Sequence, residues 1–270
     1  MKYQNSFNVY AKNYQTARPN YPDNLFELYS EKYDLKPGAE ILEVGSGSGI
    51  ASVELAKNGY KLTCIEPGEK LVEIAKEKLK DYKNINFEIK TFEDFKTDKK
   101  YNAIMFFTAF HWVNHEDAFA RMKDMLKPGG KIFIIWNTFL QPVSNLAKKI
   151  NALYPEYLPE AYKTASEPEL INKNCVKKLH DRIVEIVNQE DYELVAIDRM
   201  TMHVHYGADE YPKLLLTFPV ISEYEEVAKE KFITAVKEEI ENSPGKEIIS
   251  PILVSNIVIE PTVSFEKSIL

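Results

Sequence analysis

The middle of the chain alternates short apolar runs with amphipathic segments, and this rhythm constrains the fold more than any other feature. Apolar runs stand at residues 41–44, 61–65, 101–107 and 131–136, and the segments between them place apolar residues at helical spacing. Near-continuous apolar strands that alternate with helices are typical of a parallel sheet that helices cover on both faces. The sequence therefore predicts a doubly wound α/β fold.

The rhythm changes after residue 137. Residues 141–190 carry several prolines among tyrosines and lysines, and they favour an inserted helical segment. A strand is predicted at 192–206, a long amphipathic helix at 225–242 and a last strand at 252–260. Two strands around a helix fit completion of the same sheet better than a second domain.

Composition limits the partners. The net charge is −7 and no long basic run is present, which argues against a nucleic acid or an anionic membrane as the main partner. The cysteines form no CxxC pair and favour a reducing compartment. The first residues lack the apolar core of a signal peptide, and no apolar run reaches membrane-spanning length. We expect a cytoplasmic protein, monomeric or homodimeric.

Three closely spaced glycines, Gly45, Gly47 and Gly49, follow the first predicted strand. In an open α/β sheet, ligands bind at the carboxyl ends of the strands, so this turn is either a ligand cradle or a turn without a ligand. The dinucleotide fingerprint asks for a small residue at the position of Ile50, and no P-loop lysine follows. A nucleotide-dependent oxidoreductase is therefore disfavoured, although it stays an alternative.

An acidic residue, Glu66, ends the second strand about twenty residues beyond the first glycine, where such a side chain accepts hydrogen bonds from ribose hydroxyls. A solvated glutamate at a strand end is the competing interpretation. The spacing and the Pro67–Gly68 turn that follows favour the ribose. A site that binds a ribose and has no phosphate-binding motif indicates a nucleoside-type cofactor.

The motifs "ILEVGSGSG", "CIEP", "TFEDF" and "LKPGGKIFI", in this order, resemble the class I S-adenosylmethionine (SAM)-dependent methyltransferases. "YAKNYQTARPNYP" and "AFHWVN" are similar to a small-molecule subgroup that includes the trans-aconitate enzymes. The resemblance covers residues 7–137 well and the rest loosely. "YPKLLLTFPVISEY" is faintly similar to a later helix of that subgroup, with Pro219 where the subgroup often has serine.

The resemblance implies a Rossmann-like, mostly parallel seven-stranded sheet with helices on both faces, an N-terminal lid and a helical insertion. We predict a single domain with four segments. These are a lid or helical segment (1–35), a SAM-binding core (36–140), the helical insertion (141–190) and a C-terminal completion of the sheet (191–270).

The resemblance also implies a SAM site along the carboxyl ends of the first four strands. Its predicted residues there are Glu43, Gly45, Ser46, Gly47, Glu66, Pro67, Phe92, Glu93, Thr108 and Ala109. Those after the first strand would pass under the methionine part, with Glu43 near its amino group. The second strand would supply the ribose and adenine contacts, the third would read the adenine, and the fourth would flank the sulfonium.

The lid carries Tyr10, Tyr14, Arg18 and Tyr21. We assign Tyr14 and Arg18 to the cofactor, and Tyr10 and Tyr21 to the substrate. The planar guanidinium of Arg18 suits a carboxylate, either of SAM, which we favour, or of the substrate. A surface arginine is the alternative.

Aromatic residues mark the rim where the methyl group would emerge. His111 could orient the substrate or act as a base, or it could be a structural histidine. Trp112 and Trp136 are assigned to the substrate, with packing as the competing interpretation for both. His203 and His205 share one face of a strand, but no nearby cysteine or carboxylate completes a metal site, so none is predicted.

The function predicted from the sequence is methyl transfer from SAM to a small-molecule acceptor. Methyl transfer from SAM needs no metal and no covalent intermediate, and an acceptor that is already ionised needs no base. A protein that binds SAM without turnover is the alternative outside catalysis.

Overall fold

The computed structural model describes residues 17–162, 168–222 and 224–262. Within these ranges the chain forms a seven-stranded sheet. Its strands are β1 (Glu40–Val44), β2 (Lys61–Ile65), β3 (Ile85–Glu88), β4 (Tyr101–Phe107), β5 (Leu126–Phe139), β6 (Tyr192–Gly207) and β7 (Glu247–Pro261).

Helices connect the strands. They are α1 (Asp23–Glu31), α2 (Ile50–Lys57), α3 (Glu69–Lys78), α4 (His115–Met125), α5 (Asn145–Tyr157), α6 (Pro159–Tyr162), α7 (Pro168–Val187), α8 (Tyr211–Leu215), α9 (Pro219–Ser222) and α10 (Glu226–Glu241). A short 3₁₀ turn, Phe110–Trp112, follows β4. The predicted insertion is helical, and the predicted helix at 225–242 is α10.

The sheet order is β3-β2-β1-β4-β5-β7-β6. Strands β1 to β5 are parallel, and β7 runs antiparallel to both β5 and β6. The prediction of a mostly parallel, doubly wound sheet is confirmed. The strand order reverses between β1 and β4, so the loops that follow these two strands lead away from each other and leave a crevice between them.

Each face of the sheet carries its own apolar core. On one face, α1 and α2 bury Tyr29 and Leu55 against Met105 and Phe133. On the other face, α4 and α7 pack on the alternate strand residues, among them Phe106. The burial of successive strand residues on opposite faces explains why the strands are apolar without a polar alternation.

A third apolar cluster lies at the far end of the β6–β7 pair. These two strands stay paired as far as Gly207 and Glu247, beyond the last β5–β7 pair at Phe139 and Ile252. Helices α5, α8 and α10 pack around this extension, with Phe232 fully buried among them. The C-terminal segment therefore both completes the sheet and builds a helical cap beside the carboxyl end of β5.

The segment predicted as a lid is divided by the structure. Helix α1 lies in the core, where Tyr29 and Tyr33 place their rings 5.1 Å and 5.2 Å from the ring of Phe133. The hydroxyl of Tyr33 also donates a hydrogen bond to Asp198 on β6. The part of the lid prediction that concerns residues 1–16 lies outside the described residues.

Two strands are longer than predicted. β5 begins at Leu126, which pairs with Tyr101 of β4. The residues taken as a helix stop, 127–130, lie in the irregularity between this pair and the Ala103–Lys131 pair. β7 begins at Glu247, where its partner is the extension of β6. Among the helices that the structure describes, none is both long enough and apolar enough to span a bilayer.

The docking of α1 can be tested at Phe133, which is fully buried on β5. Phe133→Ala should lower the free energy of unfolding by about 3–5 kcal/mol, because it removes the ring on which Tyr29 and Tyr33 pack. Urea unfolding measures the change. Ile249→Ala, at a side chain that is 44% exposed on β7, is the control and should stay within about 0.5 kcal/mol. Equal losses in the two variants would contradict this description of the core.

Candidate functional site

Two cavities open along the carboxyl ends of the parallel strands. The larger, of about 830 Å³ counting the space open to solvent, is lined by the loops after β1, β2, β3 and β4. The smaller, of about 490 Å³ on the same basis, lies between the β1 loop, the end of β5 and residues 18–21. Gly45, Gly47, Phe107 and Thr108 line both cavities and form the wall between them. The crevice at the point of strand reversal is thus one cleft with two compartments.

The glycines after β1 serve different purposes. A Cβ on Gly45 would stand 2.6 Å from Cβ of Ala109, so this position must be glycine for the β1 and β4 loops to touch. A Cβ on Gly47 would meet no atom within 4 Å, because the position faces the cavities. Both residues have positive φ, +70° and +54°, which glycine adopts without steric cost. The backbone at Gly47 is therefore open to close approach by a ligand.

Glu66 lies directly after β2, with its carboxylate in the larger cavity. Its Oε2 accepts the backbone N–H of Gly47 at 3.1 Å, and its Oε1 accepts that of Gly68 at 2.8 Å. Burial raises the pKa of Glu66, and these two hydrogen bonds oppose the shift in part. A carboxylate oxygen accepts more than one hydrogen bond, so both oxygens can also receive ligand hydroxyls.

Apolar side chains line much of the rest of the larger cavity, beside the polar side chains of Lys90, Thr91 and Glu93. Pro67, Leu71 and Phe92 lie beyond Glu66, and Trp112, with 48% of its surface exposed, lies at the rim. Glu93 is also at the rim, where its Oε1 accepts the backbone N–H of Asn114 at 2.8 Å. The predicted cofactor residues of β2, β3 and β4 therefore meet in one compartment. Trp112, assigned to the substrate from the sequence, lines this same compartment.

The smaller cavity holds a buried acid. Glu43 is 1% exposed, and its Oε2 accepts hydrogen bonds from Ser52 Oγ at 2.6 Å and Cys64 Sγ at 3.5 Å. Burial raises the pKa of Glu43 to about 7, although these two hydrogen bonds act to lower it. Near neutral pH, both protonation states of this carboxyl are populated.

Unpaired polar atoms accompany Glu43. Among the described residues, the hydroxyls of Ser46 and Ser48 and Oδ1 of Asn137 are buried without a hydrogen-bond partner, and all three residues line the smaller cavity. Leaving such atoms unpaired costs about 1–3 kcal/mol each. Because these atoms share one compartment, they indicate a place where a polar ligand supplies the missing hydrogen bonds.

Thr108 stands in the wall between the compartments in a strained conformation, with φ +56°. A β-branched residue is a marked outlier at positive φ, and such strain clusters at functional sites. The backbone holds it there, because Thr108 N–H donates to Ile135 O at 2.7 Å and its Oγ1 accepts Asn137 N–H at 3.2 Å. The hydroxyl of Tyr21 lies 3.0 Å from the same Oγ1.

Arg18 closes the far side of the smaller cavity. Its guanidinium carbon lies 4.7 Å from the ring centres of both Phe139 and Phe218. Its Nε donates to Thr217 Oγ1 at 3.0 Å, which ties the start of the described chain to the segment between α8 and α9. The prediction placed Arg18 at the site but did not identify the two rings or Thr217. The only sequence signal for them is the faint likeness of "YPKLLLTFPVISEY" to a subgroup helix.

Two predicted residues lie outside both compartments. His111 packs against Trp112, with ring centres 4.8 Å apart, and desolvation of its ring together with the nearby Arg182 and His115 lowers its pKa to about 4. Trp136 is 4% exposed in the core, 6.3 Å from the ring of Phe110. The competing packing interpretation therefore describes the position of Trp136, and His111 is a neutral imidazole at neutral pH.

Tyr10 and Tyr14 lie outside the described residues. His205 pairs with Glu247 at 3.0 Å on the surface. Within the described ranges, no group of histidine, cysteine, aspartate and glutamate side chains is arranged to hold a metal ion.

Comparisons with known sequences find similarity to methyltransferases. Residues 41–130 match the model of a methyltransferase domain. A malonyl-[acyl-carrier protein] O-methyltransferase of Ilyobacter polytropus is 32% identical over 168 residues, which is 60% of this chain and 61% of that protein. An uncharacterized methyltransferase of Schizosaccharomyces pombe is 25% identical over 49% of this chain and 52% of its own length. The chain thus spans between half and two thirds of these relatives.

Solved structures extend the likeness of the fold over nearly the whole chain. A SAM-dependent methyltransferase from Geobacter sulfurreducens, solved with S-adenosyl-L-homocysteine, aligns over 96% of this chain and 98% of its own, with a TM-score of 0.52 and 16% identity. A second one, from Thiobacillus denitrificans, aligns over 95% and 98% with a TM-score of 0.53 and 15% identity. Residues 41–130 therefore match a methyltransferase domain, and the chain shares its fold with these solved SAM-dependent methyltransferases.

The pKa of Glu43 predicts a pH-dependent stability. Its folded pKa of about 7 exceeds the ordinary value of 4.5, so the folded state holds this proton more tightly than the unfolded state. The stability therefore falls as pH rises from about 4.5 to 7, and the full cost of the buried charge is present above that range. Glu43→Gln should raise the free energy of unfolding at pH 8 by on the order of 2 kcal/mol, and near pH 4.5 the gain should vanish.

Urea unfolding at several pH values measures this difference. Glu69→Gln, at an exposed carboxylate on α3, is the matched control and should show no such gain. If Glu43→Gln and the wild type differ by the same amount at pH 4.5 and pH 8, the titration of Glu43 is misassigned.

Proposed function

We propose that this chain transfers a methyl group from SAM to a small-molecule acceptor that carries a carboxylate. One observation carries the proposal: two compartments of different chemistry meet at the open backbone of Gly47 and at Thr108. One offers a carboxylate among apolar side chains, and the other offers a buried acid, unpaired hydroxyls and an arginine. A cofactor with a nucleoside at one end and an amino acid at the other matches this division.

The larger compartment fits the nucleoside. Glu66 has two oxygens, each already fixed by one backbone N–H, and it would accept the ribose hydroxyls. Pro67, Leu71 and Phe92 supply apolar surfaces for the adenine. The basic side chain in this lining, Lys90, pairs with Glu88 at 2.8 Å, and a nucleoside carries no phosphate there that would require it.

The smaller compartment fits the amino-acid end. Glu43, when ionised, would accept the cationic amino group, and the hydroxyls of Ser46 and Ser48 would donate to the carboxylate. These hydroxyls lack a partner among the described residues, so such a ligand would satisfy them. With the two serines available for the methionine carboxylate, Arg18 is no longer required for it.

We therefore assign Arg18 to the acceptor, which revises the preference drawn from the sequence. Arg18 lies against two rings, Phe139 at the end of β5 and Phe218 after α8, whereas Glu66 follows β2 and lines the larger compartment. Contacts with these rings and with Thr217 hold the guanidinium in one orientation. A fixed planar cation binds a carboxylate with little loss of side-chain entropy.

Methyl transfer from SAM requires the protein mainly to position the acceptor. SAM supplies, when bound, an electrophilic methyl group that an ionised carboxylate takes without a protein base. Arg18 would hold the acceptor, and Thr108 and Tyr21, between the compartments, would fix its approach and exclude water. His111 lines neither compartment, which agrees with a reaction that needs no base.

The relatives are compatible with an acid acceptor. The Ilyobacter polytropus protein is named as a malonyl-[acyl-carrier protein] O-methyltransferase, and the subgroup that the N-terminal motif resembles includes trans-aconitate enzymes. Both names contain a carboxylic acid or its acyl group. A cytoplasmic location remains an expectation from the sequence.

Cofactor binding is the first test. Calorimetry should show binding of SAM and of S-adenosylhomocysteine and little binding of NAD. Glu66→Ala should weaken SAM binding about 10- to 150-fold, because it removes hydrogen bonds to a charged group. Glu66→Gln keeps the shape of the side chain and should also weaken binding.

The matched control is Glu69→Ala, which removes an exposed carboxylate three residues away and should leave SAM affinity unchanged. Tight NAD binding without a SAM response would revive the oxidoreductase alternative. SAM binding without transfer to any acceptor would favour the non-catalytic alternative.

Kinetics distinguish the two possible roles of Arg18, binding the acceptor and binding SAM. Arg18→Ala should raise the KM for a carboxylate acceptor at least about tenfold and leave the Kd for SAM unchanged. Arg18→Lys should recover only part of the loss, since a lysine lacks the planar fork. Arg199→Ala, at an exposed arginine on β6, is the control. A fall in SAM affinity at Arg18→Ala would return this residue to the cofactor.

A further inference from the structure

A third cavity lies beside the smaller compartment, next to Phe139. It measures about 560 Å³ counting the space open to solvent. Its walls come from the segment after β5, from α5, from α8 and α9, and from β7. Phe139 lines both this cavity and the smaller compartment. We call this third cavity the tail chamber.

The walls of the tail chamber are apolar and aromatic. Tyr154, Tyr211, Leu214, Leu215 and Ile221 line it and are buried in the helical cap. Gln141 and Ser250 add polar groups, and none of its described lining residues is charged. Pockets of this size and composition bind the apolar part of a ligand and leave recognition of charge to a few fixed groups.

One fixed charge stands at its edge. The guanidinium of Arg18 lies against the rings of Phe139 and Phe218, and both rings also line the tail chamber. The cation thus marks the boundary between the compartment where methyl transfer is proposed and an apolar space beyond it. A ligand that spans this boundary would carry a carboxylate at one end and a hydrocarbon at the other.

We propose that the tail chamber holds the hydrocarbon tail of the acceptor, so that the preferred substrate class is a monocarboxylic acid with an unbranched apolar chain. This inference rests on the proposed function only in the assignment of Arg18 to the carboxylate. It explains why the helical cap is attached beside the end of β5: the insertion and the segment between β6 and β7 together build the chamber.

The probes are straight-chain acids of increasing length, from butanoate to decanoate. Their binding to the full chain is measured by calorimetry in the presence of S-adenosylhomocysteine, and methyl transfer is measured separately with SAM. The affinity should rise about fourfold for each added methylene until the chamber is filled, which is the gain expected for burial of one methylene.

Val220→Trp tests whether the chamber causes this rise. Val220 lines the chamber on α9 and is 49% exposed, so a larger side chain can enter the mouth without disturbing a packed core. The variant should reduce the ratio of decanoate affinity to butanoate affinity at least tenfold. Val227→Trp is the matched control, since Val227 is 63% exposed on α10 and lines none of these three cavities.

Binding affinity tests the tail chamber, and methyl transfer tests the proposed function separately. An affinity that rises with chain length and is flattened only by Val220→Trp supports the tail chamber, even if none of the acids is methylated, and in that case methyl transfer to acids is refuted. An affinity independent of chain length overturns the tail chamber, even if short acids are methylated. A rise that persists unchanged in Val220→Trp overturns it as well.

Discussion

The reversal of strand order between β1 and β4 is the constraint on which the rest of the site depends. These strands are parallel neighbours, yet the chain continues from β1 toward β2 on one side and from β4 toward β5 on the other. Their loops cannot cover the gap between them, so a crevice remains. The loops touch at a single tight point, where Gly45 faces Ala109, and the cleft opens on both sides of the wall that begins there.

Buried charge distinguishes the two compartments. Glu66 receives two backbone N–H groups at the end of β2, whereas Glu43 receives only a hydroxyl and a thiol inside the core. Burial raises the pKa of both, and for Glu43 it reaches about 7. A ligand cation beside Glu43 would favour its ionised form, so cofactor binding and proton release are linked in the proposed function.

The helical cap extends the site beyond residues 41–130, which match the methyltransferase domain. Arg18 connects the chain before α1 to Thr217 and Phe218, and these residues belong to a segment inserted between β6 and β7. The same segment packs on the long β6–β7 extension, which positions it beside the end of β5. In our proposals the core thus provides the cofactor site, and the helical cap selects the acceptor.

Local patterns along the chain predict the order of elements, the glycine turn and the position of Glu66, because each depends on local chain geometry. Apolar periodicity predicts a strand or helix within one segment, and a residue at a strand end must lie at that edge of a parallel sheet. The same rule placed Thr108 at the cleft, although the positive φ of this residue had no sequence signal. The residues after β1 to β4 therefore assembled as expected.

The directions of side chains and the contacts between distant segments depend on tertiary packing. His111 follows β4 and Trp136 lies near the end of β5, but the 3₁₀ turn and the core direct them away from both compartments. Arg18 meets Thr217 across 199 residues of chain, and the tail chamber draws its walls from segments that no local pattern connects. Such contacts arise from the packing of the cap on the sheet, and periodicity along the chain carries no information about that packing.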